Sequence, residues 1–415
     1  MNSWIVCAKK SGRCSTVMSR LYSRKNRKTA RSVSLRLCAV VNNLPVMSGL
    51  YIHIPFCHSK CHYCDFYSGP LACDHDRYID ALIRELYCRS GEIEMPPRTI
   101  YIGGGTPSLL SAERLGRLFA ALPAEAAEEF TIEVNPEDVI GEFAAFVASS
   151  PVNRVSMGVQ SADDDILRRI GRRHSWADVV TAVSRLRDAG IANISLDLIF
   201  GLPGQTLEGW SRTVDAALAL CPQHLSAYCL MYEPGTRLSA MLRAGKIEET
   251  APEVLERMYM ILCEKTASAG FRHYEISNFA LPGYESRHNS SYWNLTPYLG
   301  IGAAAHSFDG DVRRSNPADI QEYVSSDGPV FATEHLSNGE RIDEYLLIRL
   351  RTAEGVDMAD YERHFGAEEA RRLLTAAEAH LAAGRLLLAD GRLRIPERHW
   401  LITDSILVDL FSQSW

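Results

Sequence analysis

Cys57, Cys61 and Cys64 stand in a CxxxCxxC spacing at the end of the stretch Tyr51-Ile52-His53-Ile54-Pro55-Phe56-Cys57, which opens as an apolar strand and becomes a loop. Thiolates set this close suit a soft metal centre. A structural zinc ion wants four ligands in tetrahedral array, and His58 or His62 could be the fourth. Iron–sulfur clusters are also held by cysteine, and a cubane normally takes four. Three thiolates would leave one iron open to another ligand, which makes a reactive site rather than a staple. The spacing favours the cluster, with zinc and ordinary loop thiols as alternatives.

Other polar residues recur where an apolar run ends. Gly103-Gly104-Gly105-Thr106-Pro107 lets backbone approach a ligand with no Cβ in the way. A lone glycine run is often only a turn. Glu133 closes an apolar run and could bond a ribose or an ammonium group, or serve as a cap or ion-pair partner. Gln160 offers an amide that both donates and accepts. Arg172, in Gly171-Arg172-Arg173-His174, could clamp a carboxylate in a bidentate fork. Asp197 lies in the apolar run Ser195-Leu196-Asp197-Leu198-Ile199-Phe200. A buried carboxylate without a partner is costly, and Arg172 is a possible partner. Arg287-His288-Asn289-Ser290-Ser291-Tyr292-Trp293 joins an imidazole to two aromatic rings. By themselves these read more simply as loop hydrogen-bonders and core anchors.

The elements that must carry these residues alternate. Strand-like runs at 50–54, 99–102, 129–134, 154–159, 193–200 and 224–231 are separated by helical periods at 76–88, 112–122, 137–148, 164–170, 176–189 and 207–220. Alternation of this kind predicts parallel βαβ units. Six units are too few for a closed eight-stranded barrel and fit a partial (β/α)6 barrel, where working residues sit at the carboxyl ends of strands. After residue 232 the alternation stops. An amphipathic helix is expected over 253–269, then an irregular stretch. Helices at 341–350 and 368–381, with a hairpin turning at Asp390-Gly391, predict a smaller C-terminal helical, winged-helix-like domain.

The cysteine spacing after a strand, with the glycine run one strand later, resembles the radical S-adenosylmethionine (SAM) superfamily. Tyr-Ile-His-Ile-Pro-Phe-Cys, Gly-Gly-Gly-Thr-Pro, Met157-Gly158-Val159-Gln160-Ser161 and Asp197-Leu198-Ile199-Phe200-Gly201-Leu202-Pro203-Gly204-Gln205-Thr206 are similar to its oxygen-independent coproporphyrinogen III oxidase-like family over roughly residues 48–415. The resemblance implies a [4Fe-4S] cluster on Cys57, Cys61 and Cys64, with SAM on the open iron. It implies a first SAM at Tyr51, Gly104 and Glu133, and a second at Tyr63, Gly105, Thr106, Gln160, Arg172 and Asp197.

The branch decides function. The decarboxylating oxidases carry a fourth cysteine two residues after the third, and here that position is Phe66. The HNxxYW pattern, Phe279 and the run Gly300-Ile301-Gly302-Ala303-Ala304-Ala305-His306-Ser307 resemble the heme-chaperone branch. That branch implies heme as a ligand with contact at His288, and Arg287 toward a propionate. It also implies delivery to a heme-accepting respiratory protein and an electron donor for the cluster. His306 is a second candidate ligand, and His53 reads as structural. The rival is an enzyme that oxidatively decarboxylates coproporphyrinogen III through a SAM-derived radical.

Composition narrows the field. Of 44 Lys and Arg against 51 Asp and Glu, ten basic and no acidic residues fall in 1–46, leaving 34 against 51 in the body. That acidic body argues against nucleic acid as a partner. The basic head reads as an over-called start before Met47, or else as an organelle transit peptide; it is expected to be disordered. The expected divisions are 1–46, a radical SAM core over 47–235, a barrel-completing segment over 236–334 and the helical domain over 335–415. No run is long enough for a transmembrane helix. Clustered thiols want a reducing compartment, so the cytoplasm is expected, or an organelle matrix if the head is a transit peptide. Cys73, Cys88, Cys221, Cys229 and Cys263 read as small buried hydrophobes.

Overall fold

A computed structural model describes residues 47–68, 74–94, 96–125, 127–326 and 328–411. The basic head and Cys73 lie outside them. Six strands follow the expected alternation: β1 (Gly49–Ile54), β2 (Thr99–Gly104), β3 (Glu129–Val134), β4 (Arg154–Gln160), β5 (Asn193–Phe200) and β6 (His224–Cys229). All pair in parallel and in chain order. The α/β partial barrel is therefore the fold of this chain.

Period-two alternation sorts each strand's side chains. Leu50, Ile52, Ile100, Ile102, Ile132, Val155, Leu196 and Leu225 are fully buried in the core. The intervening Tyr51, Tyr101, Glu133, Ser156, Asp197 and Ser226 line an internal cavity. The strands read as apolar because only one residue in two faces that polar interior. The expected helix over 137–148 splits into a 3-10 turn, Pro136–Asp138, and a helix, Gly141–Ala148. The Val139 N–H bonds back to Pro136 O, which closes the turn before a helix can propagate.

Beyond residue 232 the sheet continues at both edges. β7 (Arg272–Glu275) and β8 (Asn278–Ala280) add antiparallel strands beside β6. On the other side β9 (Tyr298–Ile301) lies parallel to β1, followed by β10 (His306–Phe308), β11 (Val312–Ser315) and β12 (Ala332–His335). The Gly300–Ser307 run thus turns β9 into β10. A Cβ on Gly300 would meet His306 O at 2.0 Å, so no side chain fits there. A buried knot holds this edge in place. Glu85 accepts from Asn316 Nδ2 (2.8 Å), Tyr323 Oη (2.7 Å) and Gly302 N (3.0 Å), and pairs with Arg89, which donates to Gly300 O.

The C-terminal unit holds helices Asn338–Arg349, Met358–Phe365, Ala367–Ala382 and Thr403–Leu410 around a small sheet of β13 (Val356–Asp357), β14 (Leu387–Ala389) and β15 (Arg392–Arg394). Asp390 and Gly391 both have positive φ, 52° and 70°, the backbone that a two-residue hairpin demands. Among the described residues no helix is long and apolar enough to cross a membrane. The cysteine expectation needs correcting. Cys88 and Cys221 are exposed, and Cys229 and Cys263 are half-buried. Both exposed thiols sit just past or at helix ends, where local hydrophobicity says little about burial.

Candidate cluster and cofactor site

Cys57, Cys61 and Cys64 line one mouth of the barrel cavity, which has a volume of about 330 Å³. Thr106 Oγ1 lies 3.5 Å from Cys57 Sγ and Arg172 Nη1 3.6 Å from Cys61 Sγ. Burial pushes the Cys57 thiol up and the Cys64 thiol up to about 12. Bare thiolates are disfavoured here, and a bound cation inverts that preference. A single tetrahedral zinc with ~2.3 Å bonds would need its sulfurs about 3.8 Å apart. The three sulfurs do not all lie within 4.8 Å of one another. His62 turns away, its ring nitrogens bonded to Arg169 O and Arg237. His58 faces Asp138 at 4.0 Å. The donor set is of the kind that holds a multi-iron cluster, and a single zinc ion would need the sulfurs to draw together.

Around the cysteines the strand ends supply a polar wall. Glu133 accepts from Tyr101 Oη at 2.6 Å and Gly104 N at 3.0 Å, and burial pushes its carboxyl up. A Cβ on Gly105 would meet Phe56 O at 2.6 Å and Ile54 O at 2.8 Å, so the cysteine loop packs directly on that glycine. Gln160 has φ 68°, strained for a side-chain-bearing residue, where the β4–β5 register shifts. The shift turns its amide into the cavity. Tyr51 and Tyr63 also face the cavity.

Arg172 does not partner Asp197, contrary to the sequence expectation. Its Nη2 donates to Asn135 Oδ1 (2.7 Å) and Gly158 O (2.5 Å). Asp197 instead accepts from Ser156 Oγ at 3.2 Å, with Ser226 beside it, and burial raises its carboxyl to about 6. One turn separates a strand end from its helix, so nothing local showed which strand end the guanidinium would reach.

His288 is placed at the other end of the barrel. It sits on the helix Arg287–Trp293, whose amino end is capped by the Glu129 carboxylate. Glu129 accepts from Ser286 Oγ (3.2 Å), Arg287 N (2.8 Å) and His288 N (3.0 Å). Glu129 and Thr99 begin their strands, whereas the cysteines and Gly104 lie past strand ends. At ~3.3 Å rise per residue, Thr99 to Gly104 spans roughly 16 Å. The His288 ring stacks on Tyr101 at 5.1 Å, Nδ1 bonds Thr99 Oγ1 at 2.9 Å and Nε2 bonds Tyr292 Oη at 2.8 Å. Burial pushes His288 down to about 3, which keeps the imidazole neutral. Arg287 points outward to pair with Glu128 and leaves the cavity wall, contrary to the expectation of a propionate clamp.

Tyr292 has a cavity on each side. Behind it lies a second, small space of about 50 Å³, walled by Trp293, Tyr298, Phe308, Arg313 and Leu347. His53 is structural as expected, its nitrogens bonded to Tyr51 Oη and Tyr67 O. His306 lies at the β9–β10 turn, outside both cavity walls. Sequence reading missed Asn135, which joins Arg172 to Thr106 (Nδ2 to Oγ1 3.2 Å), and Tyr101, which joins Glu133 to His288. Asn135 had a signal, since it directly follows the strand carrying Glu133.

The radical SAM superfamily model matches residues 51–217, and the HemN C-terminal domain model matches residues 336–402. The heme chaperone HemW of Bacillus subtilis (strain 168) is 38% identical over 335 residues, covering 77% of this chain and 87% of that protein. HemW of Escherichia coli (strain K12) is 34% identical, covering 78% and 87%. The mitochondrial radical S-adenosyl methionine domain-containing protein 1 of Mus musculus is 32% identical, covering 88% of each. Among solved structures, Escherichia coli coproporphyrinogen III oxidase (HemN) superposes with a TM-score of 0.75 at 22% identity, covering 89% and 91%.

Proposed function

This chain belongs to the heme chaperone HemW family of radical SAM proteins, and from that premise we propose that it binds heme and passes it to an acceptor protein. The carrying observation is the identity of 32–41% to that family over most of the chain. Phe66 supports the reading, because it occupies the place of the oxidases' fourth cysteine on the cavity wall. Its N–H faces the Cys64 sulfur in place of another thiol.

In this reading Cys57, Cys61 and Cys64 hold a [4Fe-4S] cluster. A cluster with SAM on its open corner supplies one-electron chemistry when bound. Glu133 and the Gly104 and Gly105 backbone orient an amino group or ribose. Arg172, fixed by Asn135 and Gly158 O, presents positive charge beside Cys61. Heme lies at the opposite end, against the Arg287–Trp293 helix, where Tyr292 and Trp293 offer aromatic faces. His288 reaches iron once Tyr292 releases its Nε2. The tyrosine layer of Tyr51 and Tyr101 then separates heme from cluster.

Anaerobically reconstituted protein given coproporphyrinogen III, SAM and reductant is expected to yield no protoporphyrinogen. The same protein given heme is expected to take it up in a complex that survives desalting. Protoporphyrinogen in the first tube, or no heme uptake in the second, overturns the reading.

A further inference from the structure

Away from the cavity, three donors from three separate elements meet where the barrel joins the C-terminal unit. Cys263 lies on the helix Pro252–Ser268, His273 on β7, and Glu397 at the start of the 3-10 helix Glu397–Ile402. His273 Nδ1 is 3.9 Å from Cys263 Sγ and 2.5 Å from Glu397 Oε1. The three ligand atoms all lie within 4.8 Å of one another, and among the described residues no other trio of Cys, His, Asp and Glu does so. The imidazole is fixed in orientation. It stacks on Phe279 at 3.9 Å and meets the edge of Trp400 at 4.3 Å, with Nε2 buried and lacking a hydrogen bond.

We propose that Cys263, His273 and Glu397 form a three-ligand site for a divalent metal of the zinc class, fastening the C-terminal unit to the barrel edge. Thiolate, imidazole and carboxylate are the donors zinc takes, and three protein ligands leave a fourth position for water. Ordinary bond lengths put sulfur and nitrogen about 3.6 Å apart around such an ion, and nitrogen and oxygen about 3.4 Å. The first separation is met within a few tenths of an ångström. The second needs the Glu397 carboxylate to draw back by less than about 1 Å, and its side chain is 50% exposed and has room to do so. That exposed edge is also the entry path.

Binding moves no electrons. The ion displaces the Cys263 thiol proton to solvent, and the neutral imidazole keeps its single proton, which passes from Nδ1 to Nε2 as Nδ1 takes the metal. Without a metal, burial and the neighbouring carboxylate hold that thiol protonated. The trio would then be a hydrogen-bonded joint only.

The test uses full-length, cluster-reconstituted protein equilibrated with zinc and desalted, with iron and zinc counted by mass spectrometry. One retained zinc per chain is expected, lost in Cys263→Ser and bound more than tenfold more weakly in Glu397→Gln, with iron unchanged. As a second readout, cobalt is added to protein whose three cluster cysteines are replaced. A thiolate-to-cobalt band that disappears with Cys263→Ser is expected. No retained zinc in the parent, parental zinc in Cys263→Ser, or no cobalt band overturns the site.

Discussion

Tyr292 Oη lies 2.8 Å from His288 Nε2, and with Thr99 Oγ1 on Nδ1 it leaves the imidazole no free lone pair. A neutral imidazole ligates iron through one nitrogen while the other is hydrogen-bonded. The Thr99 bond suits that second role, and the Tyr292 bond is the one that must open. Tyr292→Phe is therefore expected to tighten heme binding several-fold, read as a Soret titration, while His288→Ala abolishes it. Equal affinities in parent and both variants would remove His288 from the heme site.

Two buried histidines predict an acid limit to stability. Burial pushes His288 down to about 3 and His53 down to about 4, from an ordinary 6.5. Their folded values are depressed, so the unfolded chain takes up the protons first. Stability is full above about 6.5 and falls as pH drops from there toward 4, by roughly 1.4 kcal/mol per pH unit for each group. Urea unfolding of cluster-free protein between pH 7.5 and 5 measures the slope. His288→Gln is expected to make it shallower, and an unchanged slope would mean that the imidazole is not desolvated.

Asp197 trades stability for a charged site. Its folded value, raised to about 6, lies above the unfolded one. Its neutral form is stabilising at low pH, and that contribution is lost as pH rises through 6. Asp197→Asn is expected to stabilise cofactor-free protein at pH 7.5 by about 2–3 kcal/mol and to weaken SAM binding. Denaturant midpoints and equilibrium dialysis report the two effects separately. A variant destabilised at that pH would refute the burial argument.

Gly105 is a steric determinant of the cysteine loop. A methyl group there meets backbone atoms of Ile54 and Phe56, which cannot swing aside. Gly105→Ala is expected to shift the loop and reduce iron incorporation several-fold. Gly141→Ala, where a Cβ meets nothing within 4 Å, should incorporate iron normally. Iron content after identical reconstitution decides it.

Replacing any one of Cys57, Cys61 or Cys64 by alanine is expected to abolish the brown chromophore and the four-iron content. The thiols of Cys88 and Cys221 are exposed and far along the chain, and their alanine variants should keep it. Iron retained at parental level in Cys64→Ala would break the three-thiolate assignment.

Amino-acid order alone determined where the six parallel strands and most of the helices between them lie, and the cysteine loop, because local periodicity and spacing mark them. Leu196 and Leu198 alternate with Asp197, the Asp390-Gly391 pair forms its hairpin, and Phe66 declares its departure by position. Tertiary structure alone decided which distant groups meet. The Arg287–Trp293 helix plugs the amino end of the barrel because a carboxylate on β3 caps it from 157 residues away. Arg172 bonds Asn135 rather than Asp197 because its turn lies over the third strand's end. Cys263, His273 and Glu397 converge only once the C-terminal unit packs on β7 and its helix. Local periodicity is set by the backbone's own geometry, whereas these encounters depend on how whole elements pack, for which a single sequence carries no distance.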